Sequence, residues 1–505
     1  MNIFLTFFSD YIVFTNIIFM LIIVLLERRN PLFTLFWIVL LTLAPYVGFI
    51  AYLFFGLSFR KKRVVNEYYK WKFLISKEIM GFSEHKELRK WEQLISYVEV
   101  SSKNRLTSLN ISEIFTDGND FFNSIMKDLK SAKESIAMEY YIFRNDNLGS
   151  KIADILKEKA QEGVKVRVIV DGAGGYSKKM LKKLNKYGVE TGVFFPSHFP
   201  FFKIANLRAN YRDHRKLCLI DKKFGYIGGF NIGDEYLGEG KLGYWRDTGL
   251  KILGEACLEL EQEFFFSWNI VKKEKIILDR EYKYNREVLE KLIETRGRHS
   301  GHIQVVSSGP NYQFRTIRDN ALKLIMEAQK YIYIQTPYFV PDDSVLEALK
   351  IASLSGVKIK IMIPDKPDHF FIYWINQYFV GELLDLGVEV YKYNKGFIHS
   401  KLIVVDDYAK YSTDFPILEN IENREYYGRS ASQIKGEIPI QIHSASTIEG
   451  KTAIPSDSEQ GLMALIYGKD GLSGIPITEM EKGIVGVEND YVYYLSFQFG
   501  GNQSF

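Results

Sequence analysis

The chain has 505 residues, 65 of them basic and 61 acidic, for a formal net charge of +4. That balance makes no charge argument for nucleic acid as a partner, and the length exceeds one ordinary domain. Two cysteines, Cys218 and Cys257, exclude a disulfide framework and any zinc-ligand spacing. Aromatic residues reach 15%, which suits surfaces at a lipid–water boundary as well as a large core.

In chain order, the first element is an apolar run over Tyr11–Leu26, with apolar residues reaching back to Ile3. Glu27, Arg28, Arg29, Asn30 and Pro31 interrupt it, and an uncharged run follows from Leu32 to Leu57. A bilayer crossing needs about 20 apolar residues, so residues 1–60 are expected to form a transmembrane hairpin. A secretory leader is disfavoured, because no basic stretch precedes the apolar run. Arg60, Lys61, Lys62 and Arg63 outnumber Arg28 and Arg29. The positive-inside rule then puts both ends, and the large remainder, in the cytoplasm of a multi-pass cell-membrane protein. Residues 61–103 read as a charged juxtamembrane linker whose Tyr68, Tyr69, Trp71 and Trp91 suit either the headgroup layer or a plain helix.

The remainder states one pattern twice. SAKESIAMEYYIF from Ser131 answers to EAQKYIYIQTPYF from Glu327. GVKVRVIVD from Gly163 answers to GVKIKIMIPD from Gly356, and HRKLCLID from His214 to HSKLIVVD from His399. Gly-Val-Lys after a helical stretch reads as a helix end feeding a buried parallel strand. The order predicts two α/β repeats with mixed sheets, over 104–270 and 303–408, joined by a charged connector over 271–302. Residues 409–505 match neither repeat.

Residues two apart on a strand share a face, so His214 pairs with Lys216 and His399 with Lys401. Lysine offers positive charge to phosphate oxygens; histidine can attack phosphorus or pass a proton near neutral pH. Each pair is followed by an apolar strand and an aspartate at the same offset, Asp221 and Asp406. These aspartates have the opposite parity from their histidines, which suits fixing the turn better than touching a phosphate.

This text resembles the phospholipase D superfamily, whose signature is H-x-K-x4-D followed by a turn bearing Gly and Asn. The first copy carries it through His214, Lys216, Asp221, Gly228, Gly229 and Asn231. NIGDEYLG, GYWRDT, MEYYIFRND, QTPYFVPD and IMIPDKPDH, with the hairpin, narrow the resemblance to bacterial cardiolipin synthases over residues 1–407. The resemblance implies one site shared by both repeats, with no metal and no cofactor, and with His214, Lys216, Asp221, His399, Lys401 and Asp406 as its catalytic set. It implies substrate contacts from Gly229 and Asn231, and phosphatidylglycerol and membrane lipids as partners. The implied reaction joins two phosphatidylglycerols into cardiolipin plus glycerol through a phosphatidyl-histidine. His214, in the complete motif, is expected as nucleophile and His399 as acid and base, with the reverse left open. Asp247 suits either orienting a histidine or a surface position.

Two aromatic stretches, with Phe194, Phe195, Phe199, Phe201 and Phe202 in one and Phe370, Phe371, Tyr373 and Trp374 in the other, are read as loops meeting the lipid interface or as packed aromatics. After Asp406 the family pattern stops: Thr413, Asp414, Phe415 and Pro416 stand where a Gly/Ser/Asn turn belongs. The alternatives are therefore a phospholipase D-type lipid hydrolase and a catalytically impaired membrane protein. A nuclease is disfavoured by the hairpin and the balanced charge.

Overall fold

A computed structural model describes residues 2–25, 31–52, 91–194, 212–274, 276, 302–309, 312, 314–406, 425–426, 459–467 and 494–496. The chain divides into two compact units, one of 1–71 with 197–210 and one of 72–196 with 211–505.

The smaller unit contains α1 (Asn2–Leu25), α2 (Pro31–Leu43) and α3 (Pro45–Ala51). Ile23, Trp37, Leu41 and Tyr52 form its buried cluster. The second apolar run, expected as one span, is broken at Pro45. Proline has no N–H to give the carbonyl four residues earlier. Asn16 of α1 supplies the missing donor, its Nδ2 lying 3.3 Å from the oxygen of Leu41 and 2.9 Å from that of Pro45. Gly48 lies so close to α2 that a Cβ there would fall 2.7 Å from the Leu40 oxygen. Among the described residues no helix is long and apolar enough to cross a membrane.

The larger unit begins with α4 (Glu92–Ser102), β1 (Leu106–Thr107), β2 (Asn110–Phe115), α5 (Gly118–Ser131), β3 (Ser135–Tyr140), α6 (Asn147–Gln161), β4 (Lys165–Asp171), α7 (Lys178–Lys186) and β5 (Glu190–Phe194). It continues through β6 (Arg212–Asp213), β7 (Lys216–Ile220), β8 (Phe224–Gly228), β9 (Tyr244–Arg246), β10 (Gly249–Gly254) and α8 (Ala256–Lys272). The second half runs β11 (His302–Ser308), α9 (Thr316–Glu327), β12 (Tyr331–Gln335), α10 (Asp343–Leu354), β13 (Lys358–Pro364), α11 (Phe370–Leu384), β14 (Glu389–Tyr393), β15 (Gly396–Ile398) and β16 (Leu402–Val405). Three strands complete it: β17 (Glu425–Tyr426), β18 (Glu459–Tyr467) and β19 (Tyr494–Ser496).

Local chemistry sets many of these ends. Asp117, Asp146, Ser177 and Asp342 cap α5, α6, α7 and α10 by accepting backbone N–H groups. The two Gly-Val-Lys stops are helix ends, with Gly163 at φ +92° and Gly356 at +90°, a region that favours glycine. Each feeds a strand parallel to the one before its helix, β4 beside β3 and β13 beside β12.

The first sheet has the order β2-β10-β8-β7-β3-β4-β5, and the second β1-β11-β18-β19-β16-β12-β13-β14-β17. One apolar cluster packs α5, α6 and α7 on the outer face of the first sheet. Another packs α4, α9, α10 and α11 on the second. A third joins the inner faces, Leu217 and Leu219 with Leu402 and Val404, around Phe264 and Trp268 of α8. Strand parity accounts for the split: Cys218 and Ile220 face the outer helices, while Leu217 and Leu219 face the shared core.

Several expectations are revised. Trp91, assigned to the headgroup layer or a linker, is 1% exposed and packs with Leu94, Ile95 and Val98 in the second sheet's outer core. The HFFIYW stretch opens α11 instead of forming a loop, with Phe370 and Phe371 exposed and Ile372 buried. Phe194 ends β5 and is buried; Phe195 to Phe202 lie outside the described residues. Tyr68, Tyr69, Trp71 and most of the connector also lie outside them. The tail, which no motif reached, contributes β17, β18 and β19 to the second sheet.

Candidate active site

Each His-x-Lys motif begins where the chain passes from one sheet partner to another. His214 lies between β6, which pairs with β18 from the tail, and β7 of the first sheet. His399 lies between β15, which pairs with β9 of the first repeat, and β16 of the second sheet. Each histidine is therefore placed by backbone pairing with the other half of the unit. The amide of His399 donates to the Arg246 oxygen at 2.8 Å, and the Thr248 and Ser400 hydroxyls are 2.8 Å apart.

His214, Lys216, His399 and Lys401 are all buried. The Lys216 Nζ lies 2.7 Å from the His214 oxygen and 3.1 Å from its Nδ1. Lys401 Nζ likewise donates to the His399 oxygen. His399 Nδ1 lies 2.6 Å from Oδ2 of Asp247, which is 1% exposed. Asp247 is thus an orienting group, and it acts across the repeats. Tyr141 lies against the His214 ring; Tyr236 and Trp245 lie against that of His399.

Electrostatically the site is short of negative charge. Burial holds His214 well below the ordinary histidine range, assisted by Lys216, Lys401 and His399. Burial and Lys401 push His399 down to about 4, against the opposing pull of Asp247. Burial brings Lys401 down to about 8, partly offset by Asp247 and Asp368. Such a site favours an anionic ligand, which would supply the charge that these groups lack.

The two aspartates of the motifs do other work. Asp221 takes the backbone N–H groups of Lys133, Glu134 and Ser135 at 2.7–2.9 Å. Asp406 takes those of Gln329, Lys330 and Tyr331 at 2.7–3.1 Å. Both have positive φ, +52° and +45°, and both fasten the start of the neighbouring antiparallel strand, β3 or β12. Asn231 accepts from the Ile142 amide and donates to the Tyr236 hydroxyl at 2.6 Å, which orders the wall beside His399. Gly229 makes room for Asp247: a Cβ there would fall 1.9 Å from its Oδ1.

Other contributors carried no sequence signal. Asp171, at the end of β4, accepts from the Asp213 amide at 2.8 Å and from Arg212, which fixes β6 ahead of His214. Burial pushes its carboxyl up to about 6. Arg215, fully buried between the motif residues, reaches Glu263 and Ser267 of α8. Only GYWRDT, with an acid between aromatic and polar residues, marked part of this machinery in advance.

Among the described residues no group of three or more His, Cys, Asp or Glu could hold a metal ion. Residues 125–262 and 321–413 match the family described as "Cardiolipin synthase, PLD-like domain". Residues 16–56 match "Phospholipase D-nuclease N-terminal". The cardiolipin synthase of Oceanobacillus iheyensis is 39% identical over 409 residues, 77% of this chain and 81% of that protein. Cardiolipin synthase 2 of Bacillus cereus is 40% identical over 398 residues, 76% of this chain and 74% of the relative. Among solved structures, phosphatidylserine synthase from Haemophilus influenzae aligns at a TM-score of 0.45 and 15% identity, over 63% of this chain and 81% of that one.

Proposed function

The chain belongs to the cardiolipin synthase family of the phospholipase D superfamily, and on that premise we propose that it condenses two phosphatidylglycerols into cardiolipin and glycerol. The observation that carries this reading is the pairing of two buried His–Lys couples at one cation-rich site, each coupled electrostatically to the other. Such a site takes a phosphodiester anion, and two histidines suffice for a two-step displacement. One attacks phosphorus, with loss of glycerol, and the other protonates the departing oxygen. The second then takes a proton from a hydroxyl of the incoming phosphatidylglycerol, which attacks phosphorus and frees the first. Lys216 and Lys401 hold the nonbridging oxygens throughout.

The substrate's location gives the smaller unit its role. Tyr11, Phe14, Leu21, Leu35, Leu43 and Val47 are large apolar residues exposed on α1, α2 and α3. That outward apolar surface supports a hairpin held in the cell membrane. The excess of basic residues at 60–63 supports a cytoplasmic larger unit.

The test is expression in a cardiolipin-free membrane supplied with labelled phosphatidylglycerol. Cardiolipin and glycerol are expected, with His214→Ala and His399→Ala each abolishing both. Phosphatidic acid as the labelled product would instead establish the lipid hydrolase, and no product at all the impaired protein.

A further inference from the structure

Within the phosphatidyl-transfer reading, on which this rests, we infer that His399 is the nucleophile and His214 the general acid and base, the reverse of the order expected from motif completeness. The argument is one of backbone register. Ile398, just before His399, pairs with Arg246, and the next residue on that partner strand is Asp247. Asp213, just before His214, pairs with Gln460, and the next residue there is Gly461. A second register agrees. Leu217 pairs with Ile227, which pairs with Leu250, three residues after Asp247. The corresponding Leu402 pairs with Ser496 of β19; β19 pairs with β18 through Leu495 and Leu465, which sets Ser496 beside Ala464, three residues after Gly461. The tail therefore puts a glycine at the position where the first repeat has its carboxylate.

The consequence is a difference in tautomer. A carboxylate only accepts, so Nδ1 of His399 carries the proton given to Asp247, and Nε2 keeps its lone pair. An ammonium only donates, so Nδ1 of His214 accepts from Lys216 and the proton lies on Nε2. Among the described side chains no carboxylate reaches the His214 ring. Attack on phosphorus needs the lone pair and generates a cationic ring, which Asp247 at 2.6 Å stabilises. The same positive charge on His214 is opposed by the adjacent ammonium, so its ring is a poor nucleophile and holds its Nε2 proton for a leaving oxygen.

The steps balance. Nε2 of His399 forms the P–N bond as the P–O bond to glycerol breaks, and Nε2 of His214 gives its proton to that oxygen while Nδ1 takes one from Lys216. Nε2 of His214 next takes the hydroxyl proton of the second phosphatidylglycerol while Nδ1 returns its proton to Lys216. The new P–O bond forms as P–N breaks, and the starting protonation returns.

The experiment separates the roles with a leaving group that needs no proton. The full chain in mixed vesicles is given a p-nitrophenyl phosphatidyl ester. His214→Asn is expected to release p-nitrophenolate in a burst of about one equivalent, and His399→Asn none. In the wild type, quenched with alkali during turnover of labelled phosphatidylglycerol, the phosphohistidine should map to the peptide containing His399. That mapping needs no variant, so a folding defect cannot imitate it. A burst only from His399→Asn, or label on the His214 peptide, overturns the assignment and leaves phosphatidyl transfer standing. No burst and no label in the wild type sinks both.

Discussion

At the scale of residues, the site is made by a few atoms whose roles the motif text does not announce. Asp221 and Asp406 are part of the signature, yet each is occupied by three backbone N–H groups. Their opposite strand parity made that legible in advance. Gly229 and Asn231 belong to the signature as well, and their chemistry is indirect: one clears space for Asp247 and the other orders Tyr236. Asp247 was legible only as one of two alternatives, because nothing in GYWRDT says that its partner lies 152 residues away. Gly229→Ala should therefore act on the histidine through the carboxylate. With a Cβ 1.9 Å from Oδ1, Asp247 must move, and the turnover rate should fall by about a hundredfold. Substrate KM should hardly change, because the lysines are untouched. A raised KM with an unchanged kcat would place Gly229 among the substrate contacts instead.

At the scale of elements, the two sheets share one plan carried out by different pieces of chain. The stretch β2-β10-β8-β7 of the first answers to β11-β18-β19-β16 of the second, with the same antiparallel neighbours. In the first repeat the strand next to β7 is the one that immediately follows it. In the second, the strand next to β16 is β19, the later of β18 and β19, so the chain order is reversed. The tail matches no motif because pairing in a sheet requires only alternation and backbone, which many sequences supply. It nevertheless closes the edges of β11 and β16. Ending the chain at residue 458 should leave both edges open. The truncated protein is expected to aggregate and to lose the cooperative unfolding transition in urea. A truncation that unfolds like the full chain would show that β18 and β19 contribute nothing to the sheet.

At the scale of the whole molecule, the chain holds a buried cluster of cations that opposes folding. Lys401 is charged in the unfolded chain below about 10.4, its ordinary value, and in the folded protein below about 8. The unfolded state therefore binds more protons across that window, and stability rises with pH through it. Below pH 8 the full cost remains, about 3 kcal/mol at roughly 1.4 kcal/mol per unit. Lys401→Met should accordingly raise the unfolding free energy at pH 7 by up to about 3 kcal/mol while abolishing turnover. The advantage should fade between pH 8 and 10.5. Urea denaturation across that range checks it, and a Met variant less stable at pH 7 would mean that the ammonium is a net support of the fold.

What the sequence determined by itself is whatever depends on residues near one another: the alternating α/β pattern, the glycine helix ends, the face shared by each His-x-Lys pair, and the family. These follow from helical and strand periodicity and from backbone conformations that a few residue types favour. What only the tertiary structure decided is whatever depends on pairing between distant segments. That includes the break of the second apolar run answered by Asn16, the closing of the second sheet by the tail, and the meeting of Asp247 with His399 while Gly461 follows the residue paired with Asp213. Register is a property of two strands at once, and no single stretch of text contains it.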